Sequence, residues 1–272
     1  MQPLRVARYA RPVTHPTARS SQGSPTTLVE ALADAVRADP GRPLVTFYDE
    51  ATGERVELSG VTFDNWVSKI ANLFTDELGL DPPDGCAVRL PTHWLAPTIV
   101  LGCWAAGLVL ARPAEAAVQV VGPALVGHPA KLDGAGVALA CSLRPLGGRF
   151  TEPLPPGWLD FAVEVPPQPD ALLDPRPPAP RDRAVSAAFA GAAPGTHEAM
   201  LAAGRAAAER LELAAGGRLA TDLGTADLSG LVTSVAAPLA VGGSVVLIVN
   251  ADPDRRRQIA TTERATCVAW AG

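Results

Sequence analysis

Lysine is almost missing from this chain of 272 residues: of 23 basic residues, only Lys69 and Lys131 are lysine. Acidic residues outnumber basic ones 28 to 23, for a formal charge of -5, so no broad basic face is available to nucleic acid. Cysteine is sparse and scattered. Cys86, Cys103, Cys141 and Cys267 form no C-x-x-C pair, which excludes a zinc ribbon and a disulfide framework and predicts free buried thiols in a reducing cytoplasm. The four histidines, His15, His93, His128 and His197, pair with no cysteine or second histidine at ligand spacing, so no metal site is expected. No G-x-S-x-G, H-E-x-x-H or G-x-G-x-x-G occurs, and no catalytic residue can be named from a motif.

Long apolar runs are also lacking. Leu95 to Ala111 is uncharged for seventeen residues, but Pro97, Gly102 and Gly107 interrupt it. That is the short limit for a bilayer span, and a buried helix (Trp94–Ala106), a Gly107 cap and a buried strand (Leu108–Leu110) account for the same residues. No membrane contact is expected. Residues 1–24 hold Arg5, Arg8, Arg11 and Arg19 and no apolar core, so they read as a disordered tail and not as a secretory signal.

What is present is a 47% hydrophobic chain with alternating strand and helix patterns. Ser24-Pro25 reads as a helix start, and Thr62 as the cap of a second helix over Phe63, Trp66, Ile70 and Leu73 ending at Gly79. Between them, Leu44–Tyr48 and Arg55–Leu58 form a hairpin. Strands are expected at Cys86–Leu90, Val118–Val121, Gly136–Ser142 and Phe161–Val165, with a weak helix at Ala124–Leu132. Ten prolines between Pro153 and Pro180 predict an extended linker or surface wrap. Strands at Val185–Phe189, Arg218–Asp222, Val245–Val249 and Thr266–Trp270 then alternate with helices at Thr196–Leu213, Leu228–Ala240 and Asp252–Glu263. The expected architecture is α/β, two mostly parallel sheets flanked by helices. Its expected division is a tail (1–24), a first lobe with the hairpin (25–152), a Pro-rich linker (153–182) and a second lobe (183–272). The last strand has no chain after it to cover its edge, which points to a homodimer or a protein partner there.

Three runs carry a family resemblance. They are P-L-V-T-F-Y-D-E-A-T-G-E-R-V-E-L-S-G-V-T-F-D-N-W-V-S-K-I-A-N-L-F from Pro43, G-C-A-V-R-L-P-T-H-W from Gly85 and G-C-W-A-A-G-L-V-L-A from Gly102. With L-E-L-A-A-G-G-R-L-A-T-D-L from Leu211 and A-P-L-A-V-G-G-S-V-V-L from Ala237, they resemble the N-terminal part of acyl-adenylate-forming enzymes. These are the AMP-binding acyl-CoA synthetases and peptide-synthetase adenylation domains. More closely, the chain is similar to a family of short actinobacterial proteins related only to that N-terminal part. The resemblance implies the two-sheet fold and a phosphate loop of the form T-S-G-T-T-G-x-P-K-G, whose hydroxyls and lysine contact ATP phosphates.

Against that loop, Phe189 to Glu198 reads F-A-G-A-A-P-G-T-H-E. Gly191 remains, Ala192 and Ala193 stand for the threonines, and Pro194, Gly195 and Thr196 follow, with His197 in place of the lysine. Each lost bond to a charged group is worth roughly 1.5–3 kcal/mol, so losing three or four costs on the order of 5–10 kcal/mol. Only the helix dipole and backbone amides remain at this position, worth about 0.3–1 kcal/mol at an exposed end. The family's adenine, ribose and catalytic-lysine motifs are expected beyond the matched regions, Pro43 to Ala111 and Val185 to Trp270. The expectation is a non-catalytic binding or interaction module with no cofactor, and no ATP or AMP held. The alternative is half of a split ligase completed by a separate chain. Among other residues, His93 is expected at a surface helix start, Trp66, Trp94, Trp104 and Trp270 in the core or at its edge, and Asp252, Asp254 and Glu263 around Arg255–Arg257 on a solvated face.

Overall fold

The computed structural model describes residues 5–8, 23–134, 136–191 and 195–271. In chain order it runs β1 (Arg5–Arg8), α1 (Leu28–Ala38), the hairpin β2 (Pro43–Asp49) and β3 (Glu54–Ser59), then α2 (Gly60–Asn72). There follow β4 (Gly85–Arg89), α3 (Leu95–Ala105), β5 (Val109–Leu110), β6 (Val118–Val121), α4 (Pro123–Val126), β7 (Val137–Ala140), β8 (Leu159–Asp160) and α5 (Phe161–Glu164). The remainder is α6 (Ala187–Ala190), α7 (His197–Leu211), β9 (Arg218–Thr221), α8 (Leu228–Leu231), α9 (Ala237–Ala240), β10 (Ser244–Val249), α10 (Pro253–Thr262) and β11 (Cys267–Trp270).

These strands make two sheets, one ordered β1-β11-β9-β10-β2-β3 and one ordered β5-β4-β6-β7-β8. The second is parallel throughout, and the first is parallel except at its two outer pairs, so the expected α/β architecture is what the chain adopts. Alternation on β10 shows why the first sheet is covered on both faces. Val245 and Leu247 face the large core with α1, α2, α7 and α9, while Val246 and Ile248 face a smaller core under α10. The hairpin, expected in the first lobe, belongs to the sheet of the second: β2 pairs in parallel with β10, Phe47 opposite Leu247.

Every residue of α3 is buried, as its lack of charge requires, and it lies against α2. Gly102 permits that approach, since a Cβ there would sit 2.6 Å from Ile70. Among the described residues no helix is long and apolar enough to cross a membrane.

Several boundaries differ from the sequence expectation, each for a local reason. Thr27, not Ser24, caps α1: its hydroxyl accepts from Glu30 N, and the Glu30 carboxylate accepts in turn from Thr26 N–H at 2.7 Å. Ser59, not Thr62, caps α2 by accepting from Thr62 N. The Phe161–Val165 strand is a helical turn, because the Asp160 carboxylate accepts from Ala162 N and Phe161 and Val165 bury together at i and i+4. Val185 makes a single parallel bridge to Leu110, after which Ser186 caps a helical turn where a strand to Phe189 is expected. Helix α7 stops at Glu212, at φ +56°, before Gly216-Gly217.

The Pro-rich stretch wraps the surface and is tied down. Lys69 Nζ donates to Pro166 O at 2.9 Å, and Asn72 bonds the backbone of Pro169, Ala171 and Leu173. Within the expected tail, residues 5–8 form β1, and the rest up to residue 22 lies outside the described residues. β1 pairs antiparallel with β11, Val6 opposite Ala269, so the edge expected to be open carries the chain's own N-terminal strand.

Candidate functional site

The loop that the sequence singles out lies between α6 and α7. Gly191 ends α6 at φ +65°, and Ala192, Ala193 and Pro194 lie outside the described residues. From Gly195 onward the backbone runs beside the segment 180–186. Gly195 O accepts from Ala184 N (2.7 Å) and Val185 N (3.1 Å), and a Cβ on Gly195 would meet Val185 O at 2.5 Å.

This pairing consumes the donors of the helix N-terminus. His197 N–H donates to Asp182 O (3.0 Å), Glu198 N–H to Pro180 O (2.9 Å) and Ala199 N–H to the Thr196 hydroxyl (3.3 Å), while Met200 N–H closes the first helical bond to Thr196 O. The sequence expectation left these amides free to meet an anion; the structure commits each to the chain itself. Thr196, the one hydroxyl of the loop, is spent as the cap of α7. Ser186, three residues before Phe189, caps α6 and donates to Glu115 at 2.6 Å, which places a carboxylate beside the loop.

His197 turns inward. It is 1% exposed and edge-on to Trp104, with ring centroids 5.7 Å apart, and the Trp104 indole donates to Ala184 O. Burial lowers its pKa to about 4, against a weaker opposing pull from Asp182, so the ring is neutral at pH 7. A neutral, buried imidazole supplies none of the charge of the lysine it stands for. Of the cations near the loop, Arg112 donates to Ala188 O and covers the Phe189 ring at 5.3 Å, and Arg183 forms a backbone bridge with Thr196.

In open parallel sheets ligands bind beyond the carboxyl ends of the strands, where the chain changes direction. Here that change falls at β9, whose neighbours β10 and β11 lie on opposite sides. Asp222, just past β9, accepts from Ala271 N and pairs with Arg256 at 2.8 Å, and Arg256 covers the Trp270 ring at 5.5 Å. From the other sheet, the Thr92 hydroxyl donates to Asp222 O (3.1 Å), and Gly224 packs so closely on Thr92 that a Cβ would meet it at 2.6 Å. These contacts tie the two sheets together at this junction.

His93 packs near this junction and is not at the surface. It is 5% exposed, 4.7 Å from Phe47 and 5.5 Å from Trp94 between ring centroids, and its Nδ1 accepts from Leu95 N at the start of α3. Burial lowers its pKa to about 4, outweighing Asp49. Glu54, at the start of β3, lies beside Trp94, and burial raises its pKa. No periodicity in the sequence marks Glu54, because its burial comes from the other sheet's loop.

Glu263 also departs from expectation. Its side chain is 10% exposed and pairs with Arg218 (2.6 Å) and Arg55 (3.0 Å), so only part of that helix end is a solvated face. All four cysteines are free and buried, and burial pushes the Cys267 thiol up to about 11. Among the described residues no group of three or more His, Cys, Asp or Glu is placed to hold a metal. A small apolar cavity lies at the opposite end of the first sheet, lined by Leu44, Phe63, Pro97, Pro238 and Val245. An open groove, polar at Arg205 and Glu209, runs between the ends of α7 and α9.

No protein-family model matches the chain. A protein of Mycobacterium tuberculosis (strain ATCC 25618 / H37Rv), described as a TIGR03089 family protein, is 35% identical over 266 residues, covering 90% of this chain and 99% of the relative. Among solved structures, an acyl-CoA synthetase of Brucella canis superposes with a TM-score of 0.72 at 18% identity, over 89% of this chain and 46% of that one. The anthranilate CoA ligase AuaEII, in complex with anthranoyl-AMP, gives 0.66 at 16% identity, over 88% and 48%. The nonribosomal peptide synthetase FmoA3, in its AMPPNP-bound form, gives 0.62 at 21% identity, over 88% and 25%. The chain therefore spans half or less of these solved enzymes, and the likeness is one of fold.

Proposed function

The chain belongs to the TIGR03089 family, and from this premise we propose that it is an adenylate-forming-type N-terminal domain that has lost its hold on nucleotide and works as a non-catalytic binding or interaction module. One observation carries the reading. At the α7 N-terminus, where the resemblance puts the phosphate loop, each of the first amides has a partner within the chain, and the lysine position holds a buried, neutral His197. A triphosphate arriving there would meet no free donor on α7 and the Glu115 carboxylate nearby. Electrostatic stabilisation of a transferring phosphoryl group needs donors aimed at it in advance, and this end of the helix offers none.

A second reading is favoured by the chain spanning 46% of the Brucella canis synthetase. In it, the domain is one half of a ligase that a separate chain completes. Carboxylate-dependent ATP–pyrophosphate exchange separates the two. The first reading expects no exchange from the protein alone or with any added chain; the second expects exchange that appears only when the completing chain is supplied. Exchange by the protein alone overturns both. A partner contact through β11, which the sequence suggests, would require β1 to leave that edge.

A further inference from the structure

The strap that follows α5 is held by two side chains one turn apart on α2, and they grip it mostly by its backbone. Lys69 Nζ donates to Pro166 O (2.9 Å) and Gln168 O and pairs with the Asp170 carboxylate at 3.0 Å, which uses the three donors of its ammonium. Asn72 Nδ2 donates to Pro169 O (3.1 Å) and Ala171 O (2.9 Å), while its Oδ1 accepts from Leu173 N at 3.1 Å. Asn72 is 1% exposed, so a buried amide is given over to the strap.

The chemistry of the strap suits this grip. Pro166, Pro167 and Pro169 have no N–H, so the stretch is rich in carbonyls and poor in donors, and the two side chains supply donors. A turn closed by Gln168 N–H to Val165 O (3.0 Å) precedes the part that Asn72 holds. Two side chains of the strap add to the contact: Asp170 on Lys69, and Leu172, half-buried against the main core. Pro166, Pro167, Pro169, Asp170, Ala171 and Leu173 are exposed. What α2 reads is therefore a pattern: a proline-containing backbone, a carboxylate, and an apolar residue two places after it. A basic segment would set its charge against Lys69, and a segment without proline would bring N–H groups toward the donors of Asn72.

We propose that Lys69 and Asn72 form a peptide clasp that the chain's own strap fills, and that a proline-containing acidic segment of a partner protein docks there by displacing the strap. The strap is then a tethered competitor at an effective concentration on the order of a millimolar, which keeps the site closed to weak ligands. The clasp does not depend on how the α7 loop is read, and nucleotide binding at that loop would leave it standing.

The test titrates a fluorescein-labelled peptide of residues 166–173, P-P-Q-P-D-A-L-L, into the full chain and follows its anisotropy. Against the wild type, half-saturation should fall at about a millimolar or above, because the strap must be displaced. Asp170→Lys, at an exposed strap position facing Lys69, should loosen the strap and tighten peptide binding roughly tenfold or more. Adding Asn72→Ala should abolish that binding, and a peptide carrying Asp170→Lys should not bind. The proposal is overturned if the Asp170→Lys protein binds no better than the wild type, if binding survives Asn72→Ala, or if the two peptides bind alike. Wild-type chains that exchange straps as a dimer, seen by light scattering in place of peptide uptake, would overturn the partner assignment. Where a variant fails to fold, hydrogen exchange on the wild type decides. Excess peptide should speed exchange of the Leu173 amide, whose bond to Asn72 it takes over, and unchanged protection overturns the proposal.

Discussion

Acidification should unfold this protein through two histidines that it keeps neutral. His93 and His197 are both buried, and burial lowers each pKa to about 4 in the folded state. In the unfolded chain each titrates near the ordinary value of about 6.5. Between those values the unfolded chain binds more protons than the folded one, so stability rises with pH there. Each histidine's contribution is complete above about pH 6.5 and is lost as pH falls toward 4. The full gap amounts to roughly 3 kcal/mol per histidine, and roughly 2 kcal/mol of it is lost by pH 5. Two such groups remove about 4 kcal/mol from a domain whose total is about 5–15 kcal/mol. Urea unfolding followed by tryptophan fluorescence at pH 7 and pH 5 measures the loss. His93→Asn keeps an acceptor for Leu95 N, and His197→Gln keeps a polar side chain of similar reach; each should cut the pH 7-to-5 difference by roughly 2 kcal/mol. An unchanged pH dependence in both variants would refute the assignment.

Other outcomes follow from single contacts. Gly204→Ala should destabilise by roughly 2–3 kcal/mol in the same unfolding assay, because its Cβ would meet the Ala236 carbonyl at 2.5 Å and backbone cannot swing aside. Gly191→Ala, at φ +65° and ψ −128°, a backbone conformation outside the left-handed helical well, should cost about 1–3 kcal/mol by that measure. Thr196→Ala removes the cap of α7 and should cost about 1 kcal/mol, with Thr196→Ser close to neutral. A chain starting at residue 23 lacks β1 and exposes the β11 edge, so light scattering should find concentration-dependent association that the full chain lacks.

Elements with strong periodicity or clear turns were legible in the sequence. The hairpin, the uncharged helix from Leu95 and the β-branched strand Val245–Val249 all stand within a residue or two of expectation. Where Ser, Thr or Asp could cap, the competing candidates were local and the geometry chose another, as with Thr27 over Ser24 and Ser59 over Thr62. What stayed hidden were pairings between distant segments. The hairpin's place beside β10, the burial of His93 against Phe47 and the cover of β11 by β1 arise from residues far apart in the chain. At the candidate site, the loss of hydroxyls and lysine could be read from letters. The capture of α7's amides by Asp182 and Pro180 could not, because backbone atoms carry no signature of their partner.

The most direct test of the central claim is a titration of the purified protein with magnesium-ATP while its thermal unfolding is followed. With every amide of the α7 N-terminus already bonded within the chain, the midpoint should not move at millimolar nucleotide. A saturable rise, reaching about 2.7 kcal/mol of stabilisation at one hundred times the half-saturating concentration, would contradict it.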